Sequence, residues 1–244
     1  LKENEMKKFL RKLILKEKSS SEEYIKYLRN KGMTIGERVT FFQPNQTTVD
    51  VQYPWMISIG DDVQITKGVV ILTHGYDWSV TKKYKDHLMG NSGPVTIGSN
   101  VFIGINTIIL PNVSIGNNVV IGAGSVVTHS IPDNSVAVGN PCHVIYDIDT
   151  YYEKLKNKQL EQAKQLGLTY YKKFNKIPPK DIFYDYFFLF ESYDSIKNNR
   201  IPDRWVFELK LLDNYNQCVD KMKKMRPIFN SYEEFIEYIL EDND

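Results

Sequence analysis

Four histidines occur in this chain, and one of them, His74, stands where proton transfer is feasible. It lies in Leu72-Thr73-His74-Gly75-Tyr76-Asp77-Trp78, at the rim of a stretch from Gly75 to Pro94 that mixes Trp, Tyr, Asp, Lys and His and is too polar for a core. An imidazole titrates near neutrality, so at such a rim it can take a proton from a hydroxyl and hand it on. The alternative is a structural loop histidine. Tyr76 and Trp78 offer flat faces on which a ligand ring stacks, or which pack between subunits. Asp77 is placed either to hold the imidazole tautomer or to meet an acceptor, although an Asp in a glycine-containing loop is as often a turn former. His87, within Lys85-Asp86-His87-Leu88, reads as a solvated or interfacial side chain.

The elements that position these residues announce themselves by a beat of six. Ile97, Ile103, Ile109, Ile115, Ile121 and Val127 recur at that interval, and Gly98, Gly104, Gly116 and Gly122 follow four of them. Neither a helix nor a flat strand repeats every six residues; a solenoid does, with each hexad forming one side of a coil and three hexads closing it. The fifth place holds Val101, Thr107, Val113, Val119 and Ser125, small or β-branched side chains suited to a narrow interior. Glycine in second place predicts a sharp corner there. The beat continues upstream at Ile59, Ile65 and Ile71, and more weakly at Ile35 and Phe41, so the solenoid is expected from about Ile35 to Val138 with one interruption after His74.

Outside that region the pattern changes. Lys7 to Lys16 predicts an amphipathic helix with Phe9, Leu10, Leu13 and Ile14 on one face, either capping the open end of the solenoid or resting on an anionic membrane surface. A second helix is expected from Ser20, which with Glu23 fits a capping box. Beyond Ile145 the beat vanishes. Thr150 and Glu153 predict the start of a helix ending near Gly167, Pro178-Pro179 precedes an expected aromatic helix from Phe183 to Phe190, and Ser231 with Glu234 opens a last helix through Leu240. The expected organisation is an N-terminal helical cap over 1–32, a solenoid over 33–146 with its insert at 75–94, and a helical extension over 147–244.

Composition narrows the partners. With 31 basic against 30 acidic side chains there is no global field to recruit nucleic acid. Cys142 and Cys218 make no disulfide framework, and no apolar run approaches the ~20 residues that cross a bilayer, so a soluble cytoplasmic protein without transmembrane segment is expected.

The hexad phase, the position of the insert and the closing Gly139-Asn140-Pro141-Cys142-His143-Val144-Ile145 together resemble the hexapeptide-repeat acyltransferases. The likeness is strongest to the branch containing galactoside, maltose and xenobiotic acetyltransferases and the O-acetyltransferases of cell-surface polysaccharide clusters. This resemblance implies a mainly β fold, a left-handed parallel β-helix assembled as a homotrimer with sites between subunits. It further implies acetyl-CoA as co-substrate, a carbohydrate acceptor, no metal, and direct transfer with His74 as general base. The backbone N–H of Ile105 is the implied oxyanion donor. Ala123, Gly124, Ser125, Thr128, Asn140 and Pro141 are the implied cofactor contacts, and His129 and His143 stand where relatives carry Lys or Arg near the nucleotide phosphates. Acylation of an amine, or a noncatalytic or metal-dependent relative of the fold, are the alternatives.

Overall fold

The structure, a computed structural model, describes residues 2–198 and 201–241. It divides into two compact units, one up to Tyr151 and one from Tyr152 onward.

In the first unit the six-residue beat becomes three sheets. The first sheet stacks Thr34–Ile35, Ile57–Ile59, Val95–Ile97 and Val113–Ile115. The second stacks Thr40–Phe41, Val63–Ile65, Val101–Ile103, Val119–Ile121 and Ser135–Val138, closed by an antiparallel strand at His143–Asp147. The third stacks Thr48–Val49, Val70–Ile71, Ile108–Ile109 and Val126–Val127. All pairings but that last antiparallel one are parallel, as successive coils of a parallel β-helix require.

Side chains alternate along extended backbone, so the first and fifth places of each hexad both turn inward. Val101 and Ile103 are buried while Phe102 between them is exposed, and Thr47, Val69, Thr107 and Ser125 form a fully buried column. Ile97 pairs with Ile115, 18 residues on, as three hexads per coil demand. Ile71 pairs with Ile109, 38 residues on, and the surplus of 20 is the insert.

The glycines serve differently from expectation. The left-handed backbone conformation falls in fourth place, at Asn100, Asn106, Asn112, Asn118 and Gly124, with φ between 55° and 71°. Asn tolerates that region better than other side chains. The second-place glycines are required instead because successive coils nearly touch: a Cβ on Gly98 would lie 2.7 Å from the carbonyl carbon of Gly116. Beside them a side-chain ladder ties each turn to the next, Glu37 N to Asp61, Asp61 N to Ser99, Ser99 N to Asn117 and Asn117 N to Asp133, at 2.7–3.0 Å.

The N-terminal helices divide the expected task. Helix α1 (Lys2–Leu15) leaves Leu10, Leu13 and Ile14 exposed, and the side chain of Phe9 lies outside the described residues. Helix α2 (Ser21–Lys31), N-capped by Ser20 through the Glu23 N–H, is the one that closes the solenoid: Tyr24 and Leu28 are buried with Met33, Ile35 and Phe41. Helix α3 (Trp78–Lys85) lies within the insert.

Helix α4 (Ile148–Phe174) corrects two expectations. It is capped by Asp147, whose carboxylate accepts from Thr150 N and Oγ1 at 2.8 and 2.6 Å, so Thr150 is inside the first turn. It also runs straight through Gly167, which is not a stop: a Cβ there would meet Ile239 Cδ1 at 2.9 Å and Phe183 Cζ at 3.2 Å. Nor is there an aromatic α-helix after Pro179. Two 3-10 turns, Lys180–Phe183 and Phe187–Leu189, drive Phe183, Phe187 and Phe190 into a core shared with Trp205 and Phe235. Helices α5 (Tyr193–Lys197), α6 (Asp203–Lys210) and α7 (Tyr215–Met222) follow, and α8 (Tyr232–Leu240) starts at Ser231 as expected.

Candidate active site

His74 follows the third-sheet strand Val70–Ile71, at the corner where the chain leaves for the insert. Val49 pairs with Ile71 one coil away, which brings Asp50 beside Thr73 and His74. Asp50 Oδ2 accepts from His74 Nδ1 at 2.5 Å, from Thr73 Oγ1 at 2.5 Å and from Thr73 N at 3.0 Å, while Oδ1 accepts from Gln52 N at 2.9 Å. Burial pushes the Asp50 carboxyl upward, but these hydrogen bonds, led by that from the Thr73 hydroxyl, outweigh it and hold the group below the ordinary aspartate value.

A carboxylate only accepts, so the tautomer with the proton on Nδ1 is the one that satisfies it. The lone pair is thereby left on Nε2, which is buried and has no hydrogen-bond partner. The arrangement is an imidazole oriented by a carboxylate, with its second nitrogen unspent. Asp50 therefore takes the tautomer-holding part considered for Asp77, whose own carboxylate accepts from Asn91 Nδ2 at 3.1 Å within the insert.

The insert leaves and returns through a closed neck. Gly93 N donates to Thr73 O at 2.8 Å and Gly75 N to Asn91 O at 2.9 Å. The Tyr76 ring lies 4.9 Å from the imidazole, and Trp78 lies 6.4 Å from Tyr76. On the other side Tyr53 lies 5.5 Å from the imidazole and Trp55 5.8 Å from Tyr53. Trp55, read from the sequence as packing, is 68 % exposed. His87 is exposed on the segment after α3.

The implied cofactor residues gather elsewhere. Ile105 is at the corner between the second and third sheets, where its carbonyl accepts from Gly124 N at 2.7 Å. Ala123 and Gly124 occupy the same corner one coil on and are exposed. The closing segment joins them, since Val126 N donates to Gly139 O at 3.0 Å and Cys142 N to Val126 O at 2.9 Å; Asn140, the cis-bonded Pro141 and His143 are exposed there. The Ser125 side chain is fully buried, donating to Gly122 O at 2.7 Å and accepting from Gly139 N at 3.1 Å, so only its main chain is left for the implied cofactor contact. Thr128 and His129, hydrogen-bonded to each other at 2.6 Å, follow the third-sheet strand and thus belong to the His74 corner. Among the described residues no hydrogen bond or ring contact joins the Ile105 corner to His74, and no group of three or more His, Cys, Asp or Glu is placed to hold a metal ion.

Comparison with known proteins finds relatives of this chain. The family described as bacterial transferase hexapeptide (six repeats) matches residues 94–129. Protein CapG of Staphylococcus aureus is 43% identical over 151 residues, covering 62% of this chain and 83% of CapG. Galactoside O-acetyltransferase of Escherichia coli (strain K12) is 44% identical over 105 residues, 43% of this chain and 49% of that enzyme. A solved galactoside acetyltransferase in complex with coenzyme A is 33% identical, with 59% of this chain and 81% of that one covered and a TM-score of 0.42.

A three-sheet coil built on a six-residue repeat that matches the hexapeptide model is the solenoid of a transferase. The chain belongs to the hexapeptide-repeat acetyltransferase family, and its coil is the left-handed parallel β-helix of that family.

Proposed function

We propose that this acetyltransferase moves an acetyl group from acetyl-CoA to a sugar hydroxyl, with His74 as general base. The observation that carries the reading is the Asp50–His74 pair with Nε2 unpartnered. A buried acceptor without a donor is costly, and a substrate hydroxyl supplies one. As the hydroxyl oxygen attacks the thioester carbonyl, Nε2 takes its proton and Asp50 stabilises the resulting imidazolium. The tetrahedral oxyanion is met by the Ile105 N–H, the C–S bond breaks, and the proton passes from Nε2 to the CoA sulfur. No acyl-enzyme and no metal take part.

On this reading the pantetheine and nucleotide lie along Ala123, Gly124, Asn140, Pro141 and His143, with Thr128 and His129 at the neighbouring corner, and the acceptor lies against Tyr76, Asp77 and Trp78. Two corners of one prism are needed for one reaction, and a homotrimer meets that need by facing the His74 corner of one copy with the Ile105 corner of the next. A cell-surface polysaccharide is the acceptor class to which the Leu-Thr-His-x-Tyr-x-Trp pattern points.

The test is release of CoA thiol from acetyl-CoA by wild type and by His74→Ala, across sugars with and without free amines. Sugar-stimulated release that the substitution removes supports the reading. Release only with free amines moves the activity to N-acetylation, and undiminished release by His74→Ala removes His74 from the mechanism.

A further inference from the structure

Resting on that reading, we infer that Tyr53 and Trp55 form a second acceptor subsite, which makes an oligosaccharide, and not a single sugar, the preferred substrate. The aromatic array about His74 has two arms. One is the insert arm, Tyr76 and Trp78; the other rises from the solenoid itself, Tyr53 and then Trp55, each ring 5.5–5.8 Å from the one before, counting from the imidazole. Those steps are comparable with the length of one pyranose unit.

Trp55 is not loose. Pro54, buried at the start of the 3-10 turn Pro54–Met56, fixes the backbone, and Met56 N donates to Tyr53 O at 2.9 Å. A short rigid turn thus holds a ring 68 % exposed immediately before a core strand that opens with the fully buried Ile57. An indole held out from its own copy by such a turn presents a flat face, and flat faces of this kind stack on the C–H side of sugar rings. The two arms are also joined beneath the base, Tyr76 Oη donating to Gln52 Oε1 at 2.9 Å, so the track is continuous from Trp55 past His74 to Trp78. A glycan laid along it presents an internal residue to Nε2, with a neighbouring sugar on Trp55.

The experiment compares glucose, galactose and N-acetylglucosamine, each as monosaccharide and as its uncharged tetramer, with acetyl-CoA and the full chain as wild type, Trp55→Ala and Trp55→Phe. The particle mass of each variant is followed by light scattering. Wild type is expected to show the lower KM for a tetramer; Trp55→Ala to raise that KM about tenfold with kcat held and with a much smaller effect on the monosaccharide; and Trp55→Phe to restore part of the loss. An unchanged tetramer KM, equal losses on both acceptor lengths, or a changed particle mass overturns the Trp55 subsite while leaving the sugar reading intact. Wild type that acetylates no sugar of either length overturns the sugar reading and this inference with it.

Discussion

Asp50 and His74 are 24 residues apart in the chain and 2.5 Å apart in space, Oδ2 to Nδ1, because the strand pair Val49–Ile71 stacks one coil of the solenoid directly on the next. The consequence is an imidazole whose tautomer is set by the solenoid and not by the insert. Asp50 also holds Thr73, so one carboxylate fixes both the imidazole and the root of the insert.

Replacing Asp50 by Asn keeps the shape and removes the charge. An amide can turn its N–H toward Nδ1, which favours the tautomer with the proton on Nε2 and leaves no lone pair for the substrate. Asp50→Asn is expected to lower kcat by about 10²-fold or more with little change in the KM for acetyl-CoA. Steady-state kinetics beside His74→Ala measure this, and a kcat within twofold of wild type would remove Asp50 from the mechanism.

The same carboxylate makes stability depend on pH. Its pKa is lower folded than unfolded, so its contribution is fully present above the unfolded value, about 3.9, and is lost as pH falls through the folded one. The difference in melting temperature between wild type and Asp50→Asn is therefore expected to be widest above about pH 4 and to close in more acid solution. A gap that widens on acidification reverses the sign and refutes the assignment.

Gly98→Ala tests the close approach of coils. The added methyl meets main chain, not a flexible side-chain tip, at 2.7 Å, so relief requires the coils to separate. A loss of about 2–3 kcal/mol is expected in denaturant unfolding, by overpacking. At Gly32, where a Cβ meets nothing within 4 Å but φ is +109°, Ala is expected to cost less, about 1 kcal/mol.

Asn106 separates backbone conformation from packing. Its φ of 58° is open to Gly and closed to β-branched residues. Asn106→Gly is expected to leave the melting temperature within a few degrees of wild type, and Asn106→Val to cost about 1–3 kcal/mol. Equal effects from the two would show that the left-handed turn is not what this position supplies.

The six-residue beat by itself determined the solenoid, its inward columns and the interruption after His74, because inward-facing side chains must match the coil's own period wherever three sides share one core. It also located His74, since the beat breaks immediately after it. The capping residues Ser20 and Ser231 were equally legible, being local in the chain.

Only the tertiary structure decided the rest, and the reason is stacking. Counting one coil of three hexads back from Ile71 reaches Tyr53, yet the strand partner of Ile71 is Val49, 22 residues away, so the irregular first coil hid Asp50 from any reading by period. Tyr53 and Trp55 were hidden by the same turn. The role of Gly98 and Gly116 lay in the distance between coils, and that of Gly167 in the approach of Ile239 and Phe183, both set by residues remote in sequence. Ser125 shows the converse: its inward place was readable from the beat, and its side chain joins the buried column.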